Sequence, residues 1–502
     1  MEESRVFSGT QISGKAVKIG ETLTINESVR LTNDMPAIKK VLYNETVPVI
    51  ESISAYGSAL DIKGKVRCSI FYESENSTAE SLSTDIPFEY SVENELSDPT
   101  PLLNAKAEKT ETDISKPRRA DITVKIKIEG YLAEKTSLSS PETAAIPRLV
   151  KKTETKDICL VKNFRSSDSY SFKTEAENLT PSRIACCGFS LRNQTATAGR
   201  GGILYAAEIE ADIICETEDE NGKCFYNRIT DRSVINKMID TQITDIYNNF
   251  ELNASIAETS ADLNIEESGY FISYTTEISF DLTLLQNMQE DVISDMYSTE
   301  KELELKAENA AKCNIKKADN ISLSLNGETE ISSSGDFTIV ACPVCKFDLT
   351  GEKNGKGIFN ITGNAEICVL VLQNTEGAFS SERITLPIET TLKSDADELI
   401  LNAEAFEVSF KTSSGTLFAE LKAAIKTMEL KSENVAVISE VSIAEKETED
   451  SDFITLRVHY FSPGEDLWNT AKSCRTTQEK ILSDNSFETV ADIPAGFPLM
   501  IG

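Results

Sequence analysis

The sequence contains a single histidine, His459, and a single tryptophan, Trp468. A nucleophile activated by histidine would have to use His459, and no recognisable nucleophile motif lies near it. Zinc sites with two or three imidazole ligands are excluded for the same reason. We therefore expect His459 to be an ordinary strand residue. The chain is predicted to be non-enzymatic, with no catalytic residue, no metal ligand and no cofactor.

Basic residues are scarce relative to acidic ones. Lys and Arg total 50 against 82 for Asp and Glu, which gives a formal net charge of −32. Such a chain repels nucleic acids and anionic membrane surfaces at long range. We expect no nucleic-acid partner, and a basic partner is easier to accommodate. An acidic surface that serves solubility alone is the alternative.

Long apolar runs are also missing. The run at 367–372 is among the longest, far short of the ~18 residues that span a bilayer. The acidic start at residues 1–6 has no apolar stretch of the signal-peptide kind. The 11 cysteines are odd in number and irregularly spaced, which argues against a secreted disulfide framework. These features predict no transmembrane segment and a cytoplasmic protein with reduced thiols.

Two short motifs resemble chemical sites but lack the required context. Cys342-Pro343-Val344-Cys345 is flanked by strand-like alternation, and no second cysteine pair completes a zinc site. We interpret it as structural or fortuitous, with metal binding and redox chemistry as alternatives. The glycines at 199–202 lack the Lys-Ser/Thr of a phosphate-binding loop, so we expect a simple loop there.

Internal repetition is the strongest signal. The tripeptide Leu-Asn-Ala occurs at 103–105, 252–254 and 401–403, so that each copy begins 149 residues after the one before it. Upstream of each copy lies a strand whose apolar residues alternate with period two. These strands are Val66-x-Cys68-x-Ile70-x-Tyr72, Ile209-x-Ala211-x-Ile213-x-Cys215 and Ala365-x-Ile367-x-Val369-x-Val371. The pattern predicts three tandem β-sandwich-like units at 1–138, 139–297 and 298–446.

Further strands recur around these signals. Ile86-Pro87-Phe88 and Leu386-Pro387-Ile388 predict edge strands, because proline removes a ladder donor. The second copy has Ser233-Val234-Ile235 instead. Alternating runs follow the tripeptide at 122–128 and 278–282. In the first copy, 36–43 predicts one short helix.

The C-terminal 48 residues have a different pattern. After an acidic linker at 447–454, residues 455–502 predict a small α+β module with the order strand, helix, helix, strand. Asp466 is a predicted N-cap of the first helix, and Thr476 and Glu479 predict a capping box that opens the second. Trp468 lies on the apolar face of the first helix. It is either a core anchor or a ligand platform.

This module resembles a LysM domain. The likeness rests on 460–472, which read Tyr-Phe-Ser-Pro-Gly-Glu-Asp-Leu-Trp-Asn-Thr-Ala-Lys, and on 476–485, 493–496 and 499–501 in the expected order. The resemblance implies binding through the loops after the first strand and before the last. The candidate binding residues are Ser462, Pro463, Gly464, Glu465, Asp466, Trp468, Asp492, Ile493 and Pro494.

The three repeats resemble SPOCS domains, and the whole arrangement is similar to SipL/SpoVID-like spore coat and spore envelope morphogenetic proteins of Firmicutes. The first copy carries the best likeness, at 66–88 and 122–130. The resemblance implies a scaffold in the mother-cell cytoplasm that tethers coat proteins to the forespore surface. The implied partners are the coat basement-layer ATPase or other coat proteins. An alternative is binding of peptidoglycan or a lipid-linked glycan containing N-acetylglucosamine.

Overall fold

The computed structural model describes residues 10–33, 35–56, 59–93, 95–96, 98–138, 141, 143–218, 224–241, 249–331, 337–339, 344–373, 379–413, 415–444, 456–462 and 464–502. Antiparallel strands dominate these residues, and two short α-helices lie near the C-terminus. The prediction of a mainly β protein is confirmed. The acidic segment 447–454, Cys342 and Pro463 lie outside the described residues.

The first unit, residues 10–138, contains two sheets that share one hydrophobic core. Its strands are β1 (Thr10–Arg30), β2 (Ile38–Tyr56), β3 (Ala59–Ser74), β4 (Ala79–Glu93), β5 (Pro99–Lys116) and β6 (Arg119–Leu138). Consecutive strands form the sheet β2-β3-β4, which we name the meander sheet. The order β1-β6-β5 forms the other, which we name the closing sheet because its first strand pairs with its last.

The second unit, residues 149–298, has the same strand order. Its strands are β7 (Leu149–Glu175), β8 (Pro181–Gly199), β9 (Gly202–Glu218), β10 (Cys224–Asp240), β11 (Phe250–Glu266) and β12 (Gly269–Ser298). Its meander sheet is β8-β9-β10, and its closing sheet is β7-β12-β11. The glycines at 199–202 form the turn between β8 and β9, as expected for a loop.

The third unit, residues 303–443, repeats this order with two strands interrupted. Its strands are β13 (Leu303–Lys317), β14 (Ile321–Glu330), β15 (Phe337–Ile339), β16 (Val344–Lys353), β17 (Ile358–Gln373), β18 (Phe379–Lys393), β19 (Glu398–Ser413) and β20 (Thr416–Ile443). Both β13 and β14 pair with β20, so together they take the place of the first strand. Likewise β15 and β16 both pair with β17 and replace the second strand.

The alternating runs form the central strands. Residues 66–72, 209–215 and 365–371 lie on β3, β9 and β17, each of which pairs with a neighbour on both sides. Their inward side chains are almost completely buried; Val66, Ile209 and Ala365 have no exposed surface. A central strand has neighbours along both edges and one face toward the second sheet, so apolar alternation is strongest there.

The predicted edge strands are confirmed. Pro87 lies on β4 and Pro387 on β18, and each strand pairs with a neighbour on one side only. Ser233-Val234-Ile235 lies on β10, the equivalent edge strand of the second unit. Proline is tolerated at these positions because an edge strand has one side without ladder bonds.

The short helix predicted at 36–43 is wrong, because β2 begins at Ile38. The pairing of β2 with β3 shifts register between Ile38 and Lys40 and again between Val41 and Tyr43. Each shift is a bulge that inserts an extra residue and breaks the period-two pattern. Ile38, Val41 and Leu42 therefore have helix-like spacing although they lie on a strand.

Two hydrophobic clusters join the three units. The meander cluster takes residues from all three meander sheets: Leu42, Phe71, Ala79, Ala185, Cys186, Ile214, Leu370, Leu372 and Phe379. The closing cluster takes residues from all three closing sheets: Leu102, Tyr131, Cys159, Val161, Leu285, Cys313, Ile315, Met428 and Leu430. The first strands β1, β7 and β13 also contact one another pairwise. The units therefore close around a common centre.

The terminal module, residues 457–502, has the predicted element order. Its elements are β21 (Arg457–Tyr460), α1 (Leu467–Ser473), α2 (Gln478–Asp484), a 3-10 turn (Val490–Asp492) and β22 (Pro498–Ile501). β21 pairs antiparallel with β22. Leu467, Ala471, Ile481 and Leu499 form its core together with Trp468.

Truncation of Phe71 to alanine tests the meander cluster. Phe71 is 5% exposed and packs among residues of all three units, so Phe71→Ala leaves a cavity that costs about 3–5 kcal/mol of unfolding free energy. Urea unfolding followed by circular dichroism should show a lower midpoint. Phe418→Ala, at a ring that is 38% exposed, is the control and should change the midpoint little. Equal effects would contradict the role assigned to this cluster.

Candidate functional site

The first helix of the terminal module begins and ends as its local sequence dictates. Asp466 is the N-cap, as predicted, and its carboxylate accepts the Trp468 backbone N–H at 3.0 Å. At the other end Arg475 has φ +53°. The N–H groups of Arg475 and Thr476 donate to the carbonyls of Lys472 and Ala471, at 3.2 and 3.0 Å. This is the Schellman arrangement that satisfies the last carbonyls of a helix.

The predicted capping box at the second helix is wrong by one position. Thr477, not Thr476, is the N-cap of α2, and its hydroxyl accepts the Lys480 backbone N–H at 3.1 Å. The N–H of Thr476 is already used to close α1. Its carbonyl accepts the Tyr297 hydroxyl at 2.8 Å. Thr476 thus belongs to the end of the first helix.

The two loops that the LysM resemblance implies lie side by side. Phe461 N–H donates to the Phe497 carbonyl at 3.0 Å, and Gly496 N–H donates to the Phe461 carbonyl at 2.7 Å. Ser462 and Gly464 are exposed in the first loop, and Asp492 and Pro494 are exposed at the second. Ile493, between the last two, is buried in the module core.

Glu465 is the centre of a polar network beneath the first loop. Its carboxylate accepts the Ser462 backbone N–H at 2.9 Å and the Thr470 hydroxyl at 2.5 Å, and it contacts His459 Nε2 at 2.5 Å. Burial raises the pKa of the Glu465 carboxyl, but the hydrogen bonds from Ser462, Thr470 and His459 outweigh it, so the pKa is lowered. Glu465 is therefore ionised at neutral pH and holds the loop in place.

This network does not form a catalytic triad. Nucleophilic catalysis needs a hydroxyl in contact with the imidazole, which is in turn oriented by a carboxylate. Here the carboxylate lies between His459 and Thr470, and both contact Glu465 Oε1. Thr470 is also buried. The geometry supports a structural role for the only histidine.

The module is docked on the second unit through Trp468. The indole Nε1 donates to Asp295 Oδ2 at 2.7 Å, and the indole packs edge-on against the Tyr297 ring with centroids 4.9 Å apart. Lys472 Nζ lies 2.6 Å from the other Asp295 oxygen. Burial raises the pKa of the Asp295 carboxyl, but hydrogen bonds from Lys472 and Trp468 outweigh it and lower the pKa. One ionised carboxylate therefore binds both helix residues.

A second ion pair reinforces this contact. Lys152 Nζ lies 2.9 Å from the Asp466 carboxylate, which also caps α1. Six of the nine predicted binding residues thus divide into two groups. Ser462, Gly464, Asp492 and Pro494 are exposed on the paired loops, whereas Asp466 and Trp468 serve the docking contact. For Trp468, the geometry matches the anchor alternative, since it is 5% exposed.

Sequence reasoning missed the residues on the other side of this contact. Asp295, Tyr297 and Lys152 lie more than 150 residues from the module residues that they contact, and no motif surrounds them. Their strands read as ordinary β segments. Co-variation between these positions in an alignment is the kind of signal that would have identified them.

The cysteines that the structure describes are free thiols, with none in a disulfide. Cys345 lies on β16, and burial raises the pKa of its thiol to about 12, so it stays protonated at neutral pH. Burial likewise raises the pKa of Cys187 to about 12. Among the described residues, one group with ligand atoms close enough to share a metal ion is Glu216, Glu218 and Cys224. Glu216 is already ion-paired with Arg183.

The three Leu-Asn-Ala segments meet at a cavity. They occupy the same position on β5, β11 and β19, where Asn104, Asn253 and Asn402 lie opposite Glu129, Asp281 and Lys426. All three segments line a cavity of about 450 Å³, and Asn104 Nδ2 donates to Asn402 Oδ1 at 3.2 Å. The charged side chains in its wall are largely paired, as in Arg165–Asp281 and Lys426–Glu404. The cavity is a consequence of how the units join.

Comparison with known proteins gives no relative: no protein-family model, no curated protein and no solved structure matches this chain. In the described residues, no helix has the length and apolar character needed to cross a bilayer.

Removing the Asp295 carboxylate should loosen the terminal module. Asp295→Ala leaves the Trp468 indole N–H and the Lys472 ammonium without their acceptor, which costs about 1–3 kcal/mol of docking free energy. Trp468 is the sole tryptophan, so its fluorescence emission reports on this contact alone and should shift to longer wavelength. Asp291→Ala, four residues earlier on the same strand and exposed, is the control and should leave the emission unchanged. An unshifted emission in Asp295→Ala would disprove the docking role.

Proposed function

We propose that this chain is a non-enzymatic scaffold in spore coat or spore envelope assembly, composed of three SPOCS-like β-sandwich units and a C-terminal LysM-like module. The module would tether coat proteins to the forespore surface from the mother-cell side. The repeated strand order and the strand-helix-helix-strand order of the module agree with the resemblance seen in the sequence.

The observation that carries the proposal is the fixed attachment of the terminal module. Trp468 and Lys472 bind Asp295, and Tyr297 donates to the Thr476 carbonyl, so the module is held on β12 at several points. A module on a flexible tether adjusts its position to any partner. A docked module presents its free surfaces in a constant orientation relative to the three units, which suits a protein that positions other proteins.

The distribution of side chains supports a binding role rather than catalysis. The single histidine is engaged by Glu465, and the cysteine thiols described above are held protonated by burial. A wall hydrolase with its catalytic part in the repeats would need carboxylates that converge on a substrate cleft. The carboxylates in the central cavity wall are instead ion-paired with Arg165 and Lys426.

Removal of residues 455–502 tests the proposed function. In sporulating cells, a fluorescent fusion of the truncated chain should stay diffuse in the mother cell, whereas the full chain gathers at the forespore surface. The three units have their own cores, so the truncated chain should keep its β circular dichroism spectrum. Its abundance, measured by immunoblot, controls for degradation. Normal recruitment of a folded truncated chain would refute the proposal.

The paired loops favour a second function, recognition of a glycan that contains N-acetylglucosamine. Ser462, Gly464, Asp492 and Pro494 are exposed on adjacent loops, and the short polar side chains of Ser462 and Asp492 suit a shallow saccharide site.

Retention on immobilised N-acetylglucosamine oligomers tests this alternative. Gly464 has φ +78°, so Gly464→Val distorts the first loop and should lower retention at least about tenfold. Pro494→Ala should lower it through the second loop. Met500→Ala, at an exposed residue of β22 rather than of the loops, is the control. Equal retention of all four proteins, or none by the wild type, would exclude the loop site.

A further inference from the structure

The first strand of the terminal module has its apolar residues on the outside. The alternation of Leu456, Val458 and Tyr460 predicts a buried face, yet these side chains are 62%, 54% and 68% exposed. On β22, Pro498 and Met500 lie opposite Tyr460 and Val458 and are exposed as well. We name these five residues the apolar sheet face.

The contact between His459 and Glu465 explains why these apolar side chains point outward. Successive strand residues point to opposite faces, so His459 points inward when Val458 and Tyr460 point outward. His459 is held there by Glu465 at 2.5 Å. A slip of one residue would bury the apolar residues but would turn His459 away from Glu465 and break this contact. The strand is therefore fixed in the register that presents apolar side chains to solvent.

Exposed apolar side chains are concentrated at this site. Of the twelve large hydrophobic side chains that are exposed in the described residues, four belong to the apolar sheet face: Leu456, Val458, Tyr460 and Met500. Single exposed hydrophobic residues are ordinary, but a contiguous apolar patch on a small module marks an interaction surface. The face lies on the other side of the sheet from the module core, because Leu499 and Ile501 of β22 point inward.

The dimensions of the face fit one helix. Four strand residues extend about 13 Å, and two strands with their side chains cover about 10 Å in width. An α-helix is about 10–12 Å wide, and about nine of its residues span 13 Å. A saccharide is a poorer fit, because none of the five side chains except the Tyr460 hydroxyl offers a hydrogen bond to sugar hydroxyls.

Charge indicates the character of that helix. The chain carries a formal net charge of −32, so a partner with basic residues flanking its apolar stripe is attracted and an acidic one is repelled. The same charge opposes a second copy of this chain. The face is also far smaller than the roughly 800 Å² per partner of a stable interface between two proteins.

We infer that the apolar sheet face is the docking site for an amphipathic helix with basic flanks, supplied by a partner protein. The inference rests on the proposed function and names the surface through which the terminal module binds its partner. The helix lays its apolar stripe across Val458, Tyr460 and Met500, and its lysines or arginines complement the net negative charge of the chain.

A designed peptide serves as the probe. It is a leucine–lysine helix of about 18 residues with leucine on one face, and a leucine–glutamate peptide of the same pattern is the peptide control. Calorimetric titration of the full chain at about 0.1 M salt limits electrostatic attraction to charges within about 10 Å. The leucine–lysine peptide should bind and the leucine–glutamate peptide should not. Absence of binding by the first, or equal binding by both, overturns the inference.

A pair of matched variants locates the binding site. Val458→Lys places a charge in the face and should weaken peptide binding at least about tenfold. Val234→Lys adds the same charge at another exposed valine, on β10, and should leave binding unchanged. Unshifted Trp468 emission verifies that both variants keep the module docked. Equal weakening in both variants would show that charge alone attracts the peptide and would overturn the inference.

Other occupants give different results. A wild-type dimer in sedimentation that Val458→Lys abolishes would assign the face to a second copy. Loss of N-acetylglucosamine retention in Val458→Lys would assign it to a glycan. The same variant distinguishes this inference from the proposed function. If Val458→Lys is recruited normally to the forespore, this docking surface is rejected and the proposed function stands. Recruitment of the chain truncated at 455 rejects the proposed function itself.

Discussion

The structure depends on the two hydrophobic clusters to which every unit contributes. The meander cluster and the closing cluster each contain side chains from all three units, and the first strands of the units also contact one another. This burial has to overcome the self-repulsion of a chain with net charge −32. Internal ion pairs reduce that repulsion where the units meet, as at Lys426 with Glu251 and Glu404. The three units are consequently packed against one another through shared hydrophobic clusters and are not joined by linkers alone.

The packed units also define where the terminal module lies. Asp295 and Tyr297 are at the end of β12, beyond the part of that strand that pairs with β11, and there the strand pairs only with β7. The long first and last strands of the second unit thus extend past its core and form a platform for α1. An exposed ion pair contributes little on its own, but a carboxylate that binds an indole N–H and an ammonium together in a half-buried site is stronger.

Much of the fold could be predicted from the sequence, because strands with one buried face have an unambiguous period. The central strands at Val66, Ile209 and Ala365 and the edge strands at Pro87 and Pro387 all follow from local pattern. The errors have local physical causes. Two bulges gave residues 36–43 a helical spacing, and the Schellman end of α1 took up Thr476, which moved the N-cap of α2 to Thr477. The outward apolar face of β21 depends on the contact of His459 with Glu465, which no period reveals.

The candidate site was predictable only in part, since its loops are local but its docking contact is not. The adjacent loops around Ser462 and Pro494 follow from the resemblance to LysM modules, whereas Asp295 and Lys152 come from strands far away in the chain. The placement of Asp466 and Trp468 in a docking contact could be known only once the second unit was folded beside them. Asp466 and Trp468 have side chains that could contact either a ligand or another part of the same chain. The sequence of the module alone does not distinguish these two roles.

Fusion of three units into one chain also permits differences that three identical chains could not have. The residues opposite the three equivalent asparagines are Glu129, Asp281 and Lys426. A trimer of one unit would place three like charges at these equivalent positions, and their mutual repulsion would oppose closure. In the single chain, Lys426 is positive where the other two are negative, and Arg165 neutralises Asp281. Differences at these equivalent positions therefore favour closure of the three units, and the second unit alone carries the platform for the terminal module.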